Sequence, residues 1–349
     1  MPQVRRSGQP RRAGRPGSAG IRDVAAAAGV SITTASDALN GRGRLPEATR
    51  RHVREVADRL GYRTTSAART LRTGTSGLIG FTMEAYEDGP FAFTRSGYFA
   101  ELAHGATSTA LAHGFALVHL PPASRHDPWS NVALDGAVVV DPSDGDPVVA
   151  DLIRQGLPVV SAGRPAGELP VTGWVDNDHE AAVRGVLDRL AEAGARRVGL
   201  LTGTANDPYT RLSTASYLRW CADVGQEPVY EAYPADDPLA GRIAADRLLA
   251  RPDRPDAVHG LFDSNGSDVL AAARRHGLRV PEDLLLACCS ESSLYTRTEP
   301  PVTTLSRNPR QAGAAAVRLL IAAFEEREFR RPAARFVPTE LVLRASSWR

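Results

Sequence analysis

The stretch Ile21–Gly41, IRDVAAAAGVSITTASDALNG, holds the residues whose types and order point most directly to a chemistry. Ser31 stands where a hydroxyl can cap a helix. Beyond it Ile32, Thr33, Ser36 and Asp37 share one helical face by three- and four-residue spacing, while Ala35, Ala38 and Leu39 share the other. A short helix with an apolar back and small hydroxyl side chains in front suits the major groove of DNA, where hydroxyls and a methyl surface read base edges. Gly29 stands where a turn between two helices needs positive φ, and Val30 follows as a core plug. Asp37 has two uses open to it: a carboxylate can accept from cytosine N4, or it can pair with Arg42 or Arg44.

The charge agrees with a polyanion partner for this end of the chain. Of 349 residues, 1–72 carry 15 Arg and 5 acidic residues, a net +10, whereas the rest carries 27 Arg and 35 acidic residues, a net −8. Every basic side chain other than histidine is arginine. Residues 1–19, rich in Arg, Pro, Gly and Ser without apolar periodicity, are expected to form a disordered basic arm.

These residues need elements to hold them. Val24, Ala25 and Ala28, then Ala35, Ala38 and Leu39, then Val53, Val56, Ala57 and Leu60 predict the buried faces of three small helices over 20–63. After Gly74, apolar runs alternate with longer amphipathic segments, the sign of βαβ units and a parallel sheet. Strands are expected at Leu78–Met83, Phe115–Leu120, Ala137–Val140, Pro158–Ala162, Val198–Thr202, Ala257–Phe262 and Leu284–Cys289. Helices are expected around Tyr98–Ala112, Asp178–Ala193, Ser213–Val224, Leu239–Leu249, Ser267–His276 and Gln311–Glu326. The fold class is therefore α/β with an all-α N-terminal domain. Two doubly wound halves bind ligands at the carboxyl ends of their strands, in the crevice between them.

Asp23, Val24, Ala25, Ala28, Gly29, Val30, Ser31, Thr34, Ser36, Leu39 and Asn40 meet the headpiece pattern D-V-A-x-x-A-G-V-S-x-x-T-V-S-x-x-L-N, with Ala35 in place of Val. In this the chain resembles the lactose-repressor (LacI/GalR) family, and the likeness continues through Thr49, Arg50, Leu60-Gly61-Tyr62 and Ala68-Arg69-x-Leu71-Arg72. The resemblance implies a helix-turn-helix headpiece over 20–63, with Ser31, Ile32, Thr33, Thr34, Ser36, Asp37, Asn40, Arg50 and Tyr62 at operator DNA. A hinge helix would follow within 64–75, placing Leu71, with Ala68 on the same face, in the minor groove. A single helix that short is marginal in water, so its folding is expected to be coupled to DNA binding. Arg63, Thr64 and Thr65 replace the usual Pro-Asn after the tyrosine, and Gly20 the usual Thr cap.

Residues 76–349 would be a periplasmic-binding-protein-like domain for effector binding and dimerisation, with crossovers near 175, 303 and 335. The resemblance implies a homodimeric repressor on double-stranded operator DNA, controlled by a sugar or sugar derivative. Phe91 resembles part of the pocket-lining N-P-F-F element, and Trp174 precedes a V-D-N motif formed by Val175, Asp176 and Asn177. Arg211, with Ser213 as the rival in register, resembles the effector-binding Arg; Asp263 matches the Asp of N-D, with Phe262 in place of the Asn. Arg211 and Asp263 suit structural salt bridges as well as ligand contacts.

Other classes find little support. No G-x-G-x-x-G, G-x-x-x-x-G-K-[ST] or G-x-S-x-G follows a strand, His113 and His119 lack metal-like partners, and Cys221, Cys288 and Cys289 have neither zinc spacing nor an even count. An enzyme, a metal site and a cofactor are therefore not expected. Residues 1–19 lack a signal peptide's apolar stretch and no later segment reaches the ~18 apolar residues of a span, so no membrane association and a cytoplasmic location are expected.

Overall fold

The computed structural model describes residues 19–62, 75–83, 97–120, 132–234, 237, 239–325 and 332–348. The chain forms two compact units, Met1–Thr75 and Ser76–Arg349. Almost all of the expected basic arm and hinge, including Ala68 and Leu71, lies outside the described residues, as does Phe91.

The first unit holds α1 (Ile21–Ala27), α2 (Ile32–Asn40) and α3 (Glu47–Arg59). Their inner faces bury Val24, Ala25, Ala35, Ala38, Val53, Val56 and Ala57, with Val30, Leu39, Leu45 and Tyr62 packed at the margin. Gly29 has φ 65°, which turns the chain between α1 and α2. Leu60, expected on the buried face, is exposed: it caps α3, and the chain turns at Gly61 to bring Tyr62 onto the core instead. At the glycine cap of α1, the Asp23 carboxylate accepts the Gly20 N–H at 2.7 Å.

The second unit contains two six-stranded sheets. The chain runs β1 (Leu78–Met83), α4 (Gly97–Ala112), β2 (Ala116–His119), β3 (Gly136–Val140), α5 (Pro147–Arg154), β4 (Val159–Ala162) and β5 (Gly173–Asp176). It crosses through α6 (His179–Glu192) to β6 (Val198–Gly203), α7 (Pro208–Val224), β7 (Tyr230–Tyr233), α8 (Ala240–Ala250), β8 (Ala257–Gly260), α9 (Asn265–Arg275), β9 (Leu285–Cys289) and β10 (Thr303–Ser306). Then α10 (Pro309–Glu325) and β11 (Ala333–Phe336) return to the first sheet, and β12 (Glu340–Val342) closes the second. The sheet orders are β11-β5-β4-β3-β1-β2 and β12-β10-β9-β8-β6-β7, parallel throughout except for β12 on β10.

Each expected strand is present, but β5, β7, β10, β11, β12 and α5 were not expected as elements. Strands β5, β10, β11 and β12 are only three or four residues long, and β11 and β12 are edges with exposed or half-buried residues, so they lack the apolar run that marked the others. The chain passes between the sheets after Asp176, Ser306 and Phe336, and Asn177 ties these passages together. Its buried amide donates to the Arg307 carbonyl at 3.0 Å and to the Val337 carbonyl at 2.8 Å.

His259, at 0% exposure in central β8, has an unpartnered Nε2, and burial lowers its pKa from 6.5 to about 4. Because the folded state resists protonation, stability is retained above 6.5 and falls as the pH drops from 6.5 toward 4. At 1.36 kcal/mol per unit this amounts to about 3 kcal/mol. His259→Leu is expected to flatten that part of a melting-temperature-against-pH curve; an unchanged slope would place the acid sensitivity elsewhere.

Candidate nucleic-acid interface and ligand cleft

The second helix of the headpiece carries its polar face outward. Ser31 Oγ accepts the Thr34 N–H at 3.0 Å and lies 2.8 Å from Thr34 Oγ1, so both hydroxyls hold the helix start. Ile32 is 48% exposed, Thr33 is exposed, and Ser36 and Asp37 are half-buried. The Asn40 amide folds back to donate to the Ser36 carbonyl. Asp37 forms no ion pair with Arg42 or Arg44 among the described residues, contrary to one of the two expectations; its carboxylate lies beside Gly43. Gly41 and Gly43, both at φ 70°, turn the chain here, and the Arg42 N–H donates to the Asp37 carbonyl at 3.0 Å. Arg50 donates to the Gly43 carbonyl at 2.6 Å, which pins this turn to α3. Tyr62 leans on the headpiece core with its residue half-buried.

The second site lies at the carboxyl ends of the strands, where both sheets deliver side chains. Arg307, just beyond β10, places its guanidinium carbon 3.7 Å from the Tyr98 ring centroid and 4.1 Å from that of Tyr209. Tyr98 opens α4 over the first sheet and Tyr209 opens α7 over the second, so the guanidinium bridges the two halves. Tyr209 meets His179 and Phe262 edge-on at 5.2 and 6.3 Å, and its hydroxyl donates to the Leu261 carbonyl. Asp176 Oδ1 accepts from His179 Nε2 at 2.9 Å and from the Asn177 N–H at 2.8 Å. Its Oδ2 is buried without a hydrogen bond and lies 4.0 Å from Arg164 Nε.

Asp141 follows β3 with φ 44°. Desolvation pushes its carboxyl up to about 7, Arg307 opposes this, and Asp176 and Asp207 add to it. The folded state therefore holds a proton that the unfolded chain releases, and stability is lost as pH rises from 3.8 to about 7. Asp141→Asn, which keeps the shape and tolerates positive φ, should stabilise the ligand-free protein at about pH 8 by roughly 1–3 kcal/mol and hardly at all near pH 4. Thermal melts at both pH values check this, and equal effects at the two would sink it.

Of the four effector residues expected from sequence, Asp263 stands beyond the end of β8, where its carboxylate accepts the Ser290 hydroxyl and its carbonyl accepts that of Tyr295. Trp174 is half-buried beneath the Arg164 guanidinium, 5.0 Å away, and edge-on to Phe336. Arg211 stands on the exposed face of α7 without an ion pair among the described residues, while Ser213, the rival, is buried with an unpartnered hydroxyl. The guanidinium that bridges Tyr98 and Tyr209 among the strand ends belongs to Arg307, and a second, that of Arg164, lies over Trp174 near Asp176. Sequence reasoning missed Arg307, Tyr98, Tyr209 and Asp141. The Tyr98-Phe99 pair at the start of α4 was the available signal, being an adjacent aromatic pair as in N-P-F-F, whereas Phe91 is followed by Ala92. Among the described residues no cluster of His, Cys, Asp or Glu is arranged to hold a metal, and no helix is long and apolar enough to cross a membrane.

A helix-turn-helix headpiece joined to a two-sheet binding domain defines a ligand-responsive DNA-binding regulator. The profile for bacterial regulatory proteins of the lacI family matches residues 20–65, and that for a periplasmic binding protein-like domain matches residues 187–347. The HTH-type transcriptional regulator CelR of Thermobifida fusca is 29% identical over 308 residues, covering 85% of this chain and 89% of CelR. The HTH-type transcriptional repressor CytR of Escherichia coli K12 is 28% identical over 342 residues, covering 95% and 96%. A solved CelR–cellobiose complex superposes with TM-score 0.68 at 26% identity, covering 94% of this chain and 99% of that one. The lac repressor dimer bound to operator and the anti-inducer ONPF gives TM-score 0.79 at 20% identity, over 95% and 99%, and supports the fold. The chain carries a lacI-family headpiece and a periplasmic-binding-protein-like domain: it is a DNA-binding transcription regulator, and its relatives are regulators, not enzymes.

Proposed function

We propose that this regulator is a cytoplasmic, homodimeric repressor whose affinity for a palindromic operator is set by a sugar-like effector in the cleft between the two sheets. The observation that carries the reading is the pairing of two sites in one chain. An outward face of Ile32, Thr33, Ser36 and Asp37 stands on a capped helix, and carboxylates, a guanidinium and aromatic rings gather at the strand ends. Carboxylates accept from sugar hydroxyls, guanidinium groups donate to sugar oxygens, and aromatic faces cover the apolar side of a sugar ring. In this reading Ser31, Thr34, Asn40, Arg50 and Tyr62 support the DNA face. Ala68 and Leu71 act in a hinge outside the described residues, and Asp263 with the cleft groups named above binds effector. The CelR–cellobiose complex supports a sugar as the effector class.

The test joins two measurements on the full chain: a thermal-shift screen of sugars, nucleosides and sugar phosphates, and operator affinity with and without each hit. A ligand that binds only the folded state raises the melting temperature by mass action. The operator comes from selection on random duplexes, which should return inverted repeats matching a two-fold dimer. Asymmetric single sites, or hits that leave operator affinity unmoved, would refute the reading.

A further inference from the structure

We propose that the cleft selects an effector bearing an anionic group, a carboxylate or a phosphate monoester, and that Arg307 is the residue that recognises it. This rests on the reading of the cleft as the effector site and names the chemistry that site accepts. The Arg307 guanidinium carbon lies at stacking distance from Tyr98 and Tyr209, one ring from each half of the domain, so the tyrosines occupy its faces and leave its N–H edge as the direction for recognition. Among the described residues no carboxylate oxygen lies within 4.0 Å of its nitrogens, although Asp141 acts on it, Asp176 and Asp207 act on Asp141, and Glu291 acts on Tyr98.

Each of those groups is engaged elsewhere. Glu291 accepts the Ser306 hydroxyl at 2.8 Å and the Arg307 backbone N–H at 2.9 Å. Asp207 caps α7 through the Thr210 N–H at 2.9 Å. Asp176 holds His179 and the Asn177 N–H. Asp141 is held partly protonated near neutrality, so it offers less than a full charge. A half-buried guanidinium whose faces are covered and whose carboxylate neighbours are engaged is the arrangement that receives a bidentate anion from outside the chain. The Arg307 amide carbonyl is itself fixed by Asn177, so the side chain springs from a rigid point at the passage between the sheets. Nothing comparable favours a neutral ligand, whose arrival would leave that fork with neutral acceptors alone.

Isothermal titration of the full-length wild type with matched panels tests this: neutral monosaccharides, the corresponding uronates, and the corresponding phosphate monoesters. At least one anionic member is expected to bind more than about tenfold more tightly than its neutral parent, and whether it is a uronate or a phosphate ester identifies the source of the anion. Arg307→Gln should remove that preference, leaving acid and parent within about threefold, and Arg307→Lys should restore part of it because the charge stays while the planar fork is lost. The wild-type comparison decides the matter even if a variant fails to fold, which far-UV circular dichroism without ligand would reveal. Neutral parents binding as tightly as their acids would overturn the proposal while leaving the cleft as the effector site, and so would the absence of any anionic binder. An anionic ligand that binds through Arg307 without changing operator affinity would sustain the proposal and overturn the effector reading.

Discussion

Gly313→Ala is expected to destabilise the effector-binding domain by about 3 kcal/mol or more, and Gly105→Ala by a similar amount, as read by chemical denaturation. A methyl on Gly313 would overlap the Leu102 carbonyl, and one on Gly105 the Arg310 carbonyl. Both obstacles are backbone, so neither can swing aside as a flexible side chain would. The helices α4 and α10 approach this closely because small residues line their contact: Ala103, Ala106 and Ala110 on one, Ala312 and Ala316 on the other. Helix propensity pushes the other way, since alanine is preferred to glycine inside a helix by roughly 0.5–1 kcal/mol. The overlap term is several times larger and should win. Gly185→Ala on α6 is the internal control: no neighbouring atom lies within 4 Å of the added methyl, so propensity alone acts and the substitution should stabilise by up to about 1 kcal/mol. If Gly313→Ala proved neutral, the close packing of α4 on α10 would be wrong. The consequence reaches the cleft, because α4 carries Tyr98 and the chain enters α10 directly after Arg307 and Asn308.

How much of this was legible in the sequence depends on how far apart the cooperating residues stand. The headpiece is local: Gly29, Val30 and Ser31 adjoin, and each acts through backbone geometry or a contact within a few positions, so order along the chain reveals them. Buried strands such as β3 and β9 announce themselves by unbroken apolar runs. The cleft is different, because Tyr98, Asp141, Tyr209 and Arg307 come from separate strand ends and meet only once both sheets are built. Arg307 is also one of 42 arginines in a chain without lysine, so its type carried no signal. Leu60 misled because a 3.6-residue pattern extends past the last turn, while the chain itself reverses at Gly61.

Thr33→Ala combined with Ser36→Ala is expected to lower affinity for the selected operator by about a hundredfold or more, and affinity for random duplex far less. A good base contact is worth roughly 1–3 kcal/mol, and two of them on one short helix act on the same site. Thr33 is exposed at the start of α2, and Ser36 lies one turn on, 3.3 Å from the Asn40 amide, so both hydroxyls stand on the outward face. The fold of the headpiece should survive, because the core-facing residues of α2 are Ala35, Ala38 and Leu39. Arg50→Ala should behave differently. It removes a positive charge beside the DNA face and unties the Gly43 carbonyl, so it should weaken operator and random DNA alike and lower the salt slope by about 1. Asp37 supplies the opposite sign. Without an arginine partner among the described residues, its carboxylate repels phosphates unless a cytosine amine satisfies it, so Asp37→Asn should raise affinity for random DNA while blurring one operator position. Titrations at several salt concentrations separate these terms, because non-specific binding falls steeply with salt and base contacts do not. Should the double hydroxyl variant lose specific and random affinity equally, α2 would be a scaffold for phosphate contacts, and the reading of sequence would have to lie in the residues that follow Tyr62.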